Sequence, residues 1–237
     1  MADRYVVIGN PIAHSKSPQI HARFAQQTGE QLTYDRLLAP LDGFEAAVRG
    51  FIAGGGRGAN VTVPFKLEAF ALATERSARA DAAGAVNTLV FDGARILGDN
   101  TDGVGLVRDI VHGAGVGIAE RRVLLLGAGG AARGVILPLL DESPAQIVIA
   151  NRTQAKADEL VAQFGQLPAG RRRMRAAPFE AVDGAFDIVI NATSASLSAE
   201  LPPVPASTFS AQTFAYDMMY GAQPTVFMQM AAARGAA

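Results

Sequence analysis

Residues 121–134 read RRVLLLGAGGAARG, and this stretch decides the fold. Val123 to Leu126 are four apolar residues in a row, the pattern of a parallel strand buried on both faces, where no alternation is needed. The chain then turns through Gly127, Gly129 and Gly130 and enters an alanine-rich segment that favours helix. Strand, tight glycine turn and helix in this order form a dinucleotide site. The glycines permit the turn and let the backbone approach a pyrophosphate, which rests on the amides and positive dipole end of the new helix. Ala132 takes the third position of the fingerprint. The plainer alternative is a structural glycine turn.

The composition narrows the class. Of 237 residues, 49% are hydrophobic and 18% charged, which describes a folded globular chain long enough for one large or two small domains. Mean hydropathy is +0.19, yet no apolar run reaches the roughly 18 residues a membrane helix needs. The opening Met1-Ala2-Asp3-Arg4 has no signal-peptide layout, so a cytoplasmic location is expected. A net charge of −1 argues against a general nucleic-acid binder. The basic run Arg171-Arg172-Arg173-Met174-Arg175 follows Pro168-Ala169-Gly170 and reads as a solvated loop leading into a strand. There is no cysteine, which removes disulfides and thiolate chemistry, and His14, His21 and His112 make no metal spacing, so no metal is expected.

Taken in order, the chain alternates strand and helix. Arg4–Gly9 reads as a strand, and a helix with Ser17 as N-cap and Pro18 at its first position presents Ile20, Phe24 and Gln27 on one face before stopping at Gly29. Leu32–Ala39 is a strand, Phe44–Ile52 a helix, 54–58 a flexible turn and Ala59–Val63 a strand. Thr88–Phe91 and Ile96–Leu97 form a hairpin around Asp92-Gly93. A helix runs from Asp102 to about His112. Beyond the glycine turn, strands are expected at 147–150, 186–191 and 213–217, and helices at 153–164 and 224–234. Pro138 should kink or stop the helix in which it falls. The class is α/β, with parallel sheets flanked by helices. Two domains are expected: residues 1–102 as an N-terminal α/β substrate domain, and 103–237 as a C-terminal Rossmann-like NADP-binding domain with a parallel sheet. The substrate would lie in the cleft between them.

Several polar clusters could carry chemistry. The fingerprint calls for an acidic residue about 20 positions on, to hold a ribose 2′-hydroxyl. Asn151, 21 positions after Gly130, opens Asn151-Arg152-Thr153 with Lys156 one turn later. An arginine and a lysine in place of a carboxylate suit a 2′-phosphate, so NADP is favoured over NAD. Otherwise this is an ordinary helix start capped by threonine. Lys66 lies just past a strand, and Asp102 in Gly98-Asp99-Asn100-Thr101-Asp102-Gly103. A lysine oriented by an aspartate is a proton-transfer pair. Alone, Lys66 reads as a surface lysine and Asp102 as a helix cap. Ser15 and Ser17 offer two hydroxyls for a polyol or carboxylate, or Ser17 merely caps. Asn191-Ala192-Thr193-Ser194 could line the cofactor cleft or simply end a strand.

These pieces in this order resemble the shikimate dehydrogenase family: GNPIAHSKSP at 9–18, NVTVPFK at 60–66, GAVNT at 84–88, GDNTDGVG at 98–105, GAGGAARG at 127–134, NRT at 151–153, NATS at 191–194 and YDMMY at 216–220. The resemblance implies reversible, NADPH-dependent reduction of 3-dehydroshikimate to shikimate. It implies Lys66 and Asp102 as the catalytic pair, and Ser15, Ser17, Thr62, Asn87 and Tyr220 as substrate-binding. Gly127, Ala128, Gly129, Gly130 and Ala131 become the pyrophosphate turn, Asn151, Arg152, Thr153 and Lys156 the 2′-phosphate clamp, and Met218 a contact near the nicotinamide. The partner is a small molecule, with neither nucleic acid nor membrane, and a homodimer is left open. Ser196 stands where the family usually has glycine, and Lys156 where many members have arginine, which softens the expected NADP preference. Family members continue past residue 237 with a segment bearing a substrate-binding glutamine, and a protein ending at Ala237 would be expected to turn over weakly. Two other readings compete: a quinate/shikimate dehydrogenase using NAD, and a non-catalytic nucleotide-binding homologue.

Overall fold

The computed structural model describes residues 2–193, 200–219, 221 and 223–237. The chain divides into two compact units, Met1–Thr101 and Asp102–Ala237. Tyr220, Ser194 and Ser196, singled out above, lie outside the described residues.

The first unit contains β1 (Asp3–Gly9), α1 (Ser17–Thr28), β2 (Leu32–Leu38), α2 (Phe44–Ala53), β3 (Gly56–Val61), α3 (Lys66–Leu72), β4 (Glu75–Arg76), α4 (Ala78–Ala83), β5 (Thr88–Asp92) and β6 (Arg95–Asp99). Its six strands lie in the order β2-β1-β3-β5-β6-β4. The expected hairpin around Asp92-Gly93 is present, and it makes this sheet mixed rather than parallel throughout. β5 runs antiparallel to both β3 and β6, while the other pairs are parallel. The short Asp92-Gly93 turn leaves no room for a crossover, so β5 must run against β6. The segment 66–83, read above without structure, supplies α3, β4 and α4.

One sheet face carries Val6, Ile8, Ala59, Val61, Leu89 and Phe91 into a core shared with Phe44, Val48, Phe65, Ala69 and Ala80 from the helical side. The opposite face is more polar, and α1 lies on it differently from the expected orientation. No residue of α1 is buried, and Ile20 and Phe24 are 46% and 53% exposed. Ser17, His21 and Ala25, spaced at i, i+4 and i+8, turn inward instead, because the His21 ring stacks on Tyr34 at 4.0 Å. Two local readings are also revised. Lys16, rather than Ser17, is the N-cap of α1, and it makes no side-chain cap bond. The glycine stretch 54–58 is partly strand, because Gly56 pairs with Arg4 and leaves the space of a Cβ to the Phe51 ring, 2.3 Å away.

The second unit contains α5 (Asp102–Arg108), β7 (Arg122–Leu126), α6 (Gly130–Asp141), β8 (Gln146–Ala150), α7 (Gln154–Phe164), β9 (Met174–Ala177), β10 (Ile188–Asn191), β11 (Phe214–Asp217) and α8 (Val226–Ala233). Five parallel strands run in the order β11-β10-β7-β8-β9. Val123 to Leu126 are fully buried, as a central parallel strand requires. The expected helix to His112 changes at Asp109 into a wider π-type turn, Asp109–Gly113. Pro138 neither stops α6 nor lies at its end. The carbonyl it cannot bond, that of Gly134, faces α5 so closely that a Cβ on Gly103 would sit 2.4 Å away.

Asp99 ends β6 as a small hub. Arg79 holds both of its oxygens, Ser77 Oγ donates to Oδ1 at 2.5 Å and the Asn100 amide at 2.8 Å. The Arg79 guanidinium, helped by the Ser77 hydroxyl and the Asn100 amide, holds the carboxyl below its usual range against the cost of burial. A depressed folded-state pKa adds stability above the unfolded value of 3.8, lost as pH falls through the folded value. Asp99→Asn should therefore lower stability at pH 7 by about 1 kcal/mol, allowing for screening of the half-exposed pair. The gap in Tm between wild type and variant should close between pH 4 and pH 2 in thermal unfolding followed by circular dichroism.

Candidate active site

In the first unit, the predicted residues collect at one edge of the sheet. Ser15 and Ser17 follow β1, and Thr62 and Lys66 follow β3. Because β5 is reversed, Asn87, which precedes it, emerges at the same edge. Open α/β sheets place ligands at the edge where their parallel strands end.

Backbone hydrogen bonds stitch these loops together. Asn87 carbonyl oxygen accepts from Val61 N at 2.7 Å, Asn87 N donates to Asp99 O at 3.0 Å, and Lys66 O accepts from Val86 N at 2.9 Å. The Thr62 amide donates to Ile8 O at 2.9 Å. Its methyl is so near that a Cβ on Gly9 would lie 2.6 Å from it, so glycine is required there. Lys66 opens α3 half-buried, directly after the fully buried Phe65, whose ring stacks on Phe44 at 5.0 Å.

The serine loop is equally fixed. Arg36 donates from Nε to the Ser15 carbonyl at 3.0 Å and from a terminal nitrogen at 2.5 Å. Ser15 is 8% exposed, and its hydroxyl donates to Ser17 Oγ at 3.1 Å. Asn87 is buried too: its Oδ1 accepts from Thr101 N at 3.0 Å and its Nδ2 donates to Thr101 Oγ1 at 3.1 Å. Hydroxyls, amides and one ammonium at a half-buried edge can hold a polyhydroxylated acid and move a proton to or from it.

In the second unit, the ends of β7, β8, β10 and β11 likewise share one edge. Gly127 has φ +107°, and a Cβ there would lie 3.1 Å from the Thr193 methyl, so both conformation and space demand glycine. Nothing lies within 4 Å of a Cβ built on Gly129 or Gly130. The N-terminus of α6 has no side-chain cap and no acidic residue in its first turn. An open, uncapped helix start with exposed glycines suits a pyrophosphate. Ala128 and Ala131 are half-buried in the same turn.

Beyond β8, Arg152, Thr153 and Lys156 are exposed. Thr153 is the N-cap of α7 without a side-chain cap bond, and no acid occupies the first turn. Asn151 Nδ2 donates to Thr153 O at 2.9 Å, shaping this turn. Two cations and an uncapped helix start suit a phosphate monoester. Asp102 opens α5, half-buried.

Three neighbours of the predicted residues are not singled out by the sequence. Asn60 appears there only within a motif; a polar residue inside an apolar strand is the available signal. Tyr34 has none, because its role depends on strand register. Asp217 stands in YDMMY without a role. Its Oδ1 accepts from Asn191 Nδ2 at 3.1 Å and from the Met219 amide at 3.0 Å, and Thr225 Oγ1 donates to Oδ2 at 2.5 Å. The carboxylate thereby fixes the loop that carries Met218. Tyr216 donates to Asp109 Oδ2 at 2.9 Å, and burial together with that carboxylate pushes its phenol up to about 12. Among the described residues, no group of three or more His, Cys, Asp or Glu could hold a metal, and no helix is long and apolar enough to cross a membrane.

Known proteins match this arrangement along the whole chain. Residues 7–89 match the shikimate dehydrogenase substrate binding domain, and residues 109–199 match shikimate / quinate 5-dehydrogenase. A relative named shikimate dehydrogenase (NADP(+)) from Herminiimonas arsenicoxydans is 64% identical over 236 residues, covering 100% of this chain and 85% of that protein. Among solved structures, an Ael1 enzyme from Pseudomonas putida superposes with a TM-score of 0.92 at 49% identity, over 98% of this chain and 84% of the other. Shikimate 5-dehydrogenase from Thermus thermophilus, solved with NADP(H) and shikimate, gives 0.85 at 31% identity, over 99% and 85%. With both halves of the chain matched and more than half of its residues identical to those of a single relative, the chain belongs to the shikimate dehydrogenase family of NADP(+)-linked oxidoreductases.

Proposed function

We propose that this chain catalyses the reversible, NADPH-dependent reduction of 3-dehydroshikimate to shikimate, with residues 1–102 as the substrate domain and 103–237 as the NADP domain. The observation that carries the reading is the gathering of Ser15, Ser17, Thr62, Lys66 and Asn87 at one sheet edge, joined by hydrogen bonds. The serine hydroxyls suit a carboxylate, and the threonine and asparagine suit ring hydroxyls. When bound, the dinucleotide supplies or accepts a hydride. Reduction adds hydride to the carbonyl carbon and a proton to the developing alkoxide, and Lys66 Nζ delivers that proton. In the oxidation, neutral Lys66 takes the proton from the hydroxyl as hydride leaves its carbon. Asp102 is assigned as the acid–base partner from the family pattern, and Tyr220 as a substrate ligand on the same basis. Gly127 to Ala131 hold the pyrophosphate, Asn151 to Lys156 the 2′-phosphate, and Met218 packs near the nicotinamide.

Steady-state oxidation of shikimate with NADP and with NAD tests the reading. NADP should be preferred, and Arg152→Ala combined with Lys156→Ala should raise KM for NADP about tenfold or more while leaving KM for NAD unchanged. Absence of shikimate oxidation with either cofactor overturns the proposal. Equal loss with both cofactors overturns the phosphate assignment.

A further inference from the structure

The polar face of the first sheet holds a line of hydrogen bonds running across three strands. Tyr34, on β2, donates from its hydroxyl to Asn60 Oδ1 on β3 at 2.5 Å. Asn60 Nδ2 donates to Thr88 Oγ1 on β5 at 3.2 Å. Thr88 Oγ1 in turn donates to Asn87 Oδ1 at 2.9 Å, and Asn87 Nδ2 continues to Thr101 Oγ1. The other end also has a partner: burial pushes the Tyr34 phenol above its ordinary range, against hydrogen bonds from Ser17 and Asn60. Tyr34 thus faces both the serine loop and Asn60 on β3, whose carboxamide continues the line toward Thr88 and Asn87. His21, stacked flat on its ring at 4.0 Å, fixes where the hydroxyl points.

We propose that Tyr34 is a positioning residue for substrate: its hydroxyl locks the Asn60 carboxamide, and through Thr88 sets the Asn87 amide relative to the Ser17 hydroxyl. The inference rests on the substrate assignment above, which places Ser17 and Asn87 on the substrate. A carboxamide can rotate by half a turn and exchange its donor and acceptor ends. The Tyr34 hydroxyl donates to Oδ1, and that bond favours the orientation in which Asn60 Nδ2 faces Thr88. The floor of this network opens into a cavity of about 240 Å³ walled by Tyr5, Leu32 and Val90. Tyr34, Asn60 and Thr88 line that cavity too, so without the phenol hydroxyl the Asn60 carboxamide loses a protein donor on an already accessible face.

Tyr34→Phe removes the hydroxyl and keeps the ring on His21, so folding is retained. KM for shikimate should rise about tenfold, with kcat, KM for NADP and Tm unchanged. In an Asn60→Ala background the same substitution should add nothing, since its effect runs through Asn60. An unchanged KM for shikimate overturns the proposal. So does a rise in both KM values alongside a fall in Tm, which marks a merely structural role, or a full tenfold effect in the Asn60→Ala background. The wild type is assayed first: failure to oxidise shikimate at that step is failure of the substrate reading, whereas an active wild type with an unaffected Tyr34→Phe sinks the positioning role alone.

Discussion

Replacing Lys66 with alanine is expected to lower kcat for shikimate oxidation by about 10²–10⁴-fold, the usual contribution of a positioned acid–base group. KM for NADP should not change, because the dinucleotide features lie on the other unit. Stability should hold as well: Lys66 is the half-buried first residue of α3 and its side chain is not part of the core. Lys66→Arg separates proton transfer from charge. A guanidinium keeps the positive charge but does not titrate in the working range. If Lys66 moves the proton, the arginine variant is nearly as slow as the alanine variant. If it serves only as a fixed charge, arginine restores much of the rate and the acid–base assignment fails. Steady-state kinetics and thermal melts of the two variants decide between these outcomes.

Phe65→Ala should have the largest effect on stability. The ring is completely buried, stacked on Phe44, in the core under the sheet. Truncating a phenylalanine in such a position costs about 3–5 kcal/mol, a large part of the roughly 5–15 kcal/mol that holds a domain folded. The residue also joins core to chemistry. Its amide donates to Thr62 O and its carbonyl accepts from Ala69 N, so its backbone joins the Thr62 loop to α3, where Lys66 is the first residue. A lower midpoint in urea denaturation, with the second unit unchanged, is the expected result. A stability within about 1 kcal/mol of wild type would mean that neighbouring side chains refill the space.

The parts of the structure legible in sequence are those written by local pattern. The glycine turn is readable because Gly127 needs both a positive φ and empty space, and only one residue type supplies them. β7 is readable because four consecutive buried positions leave no polar option. The edge that gathers Ser15, Thr62, Lys66 and Asn87 is readable as motifs, although its geometry is not, since that depends on β5 being reversed. The failures share a cause. Hydrophobicity assigns the inward face of α1 to Ile20 and Phe24, yet the sheet surface beneath it is polar, and His21 finds Tyr34 there. Tyr34 and Asn60 meet because of parallel register between β1, β2 and β3, which no local window contains. The helices at 66–72 and 78–83 are short, and few turns give little periodicity to detect.

The reversed strand has a consequence for how this unit can change over time. Since β5 enters the sheet where its neighbours leave it, all the proposed substrate contacts of the first unit come from one edge. The turns at 29–31, 54–55 and 93–94 all lie at the other edge. Loops tolerate insertions where they are exposed and carry no ligand, so that far rim can lengthen, shorten or acquire new binding surfaces without moving a substrate-facing atom. Variation on that rim can thereby accumulate without disturbing the proposed substrate contacts.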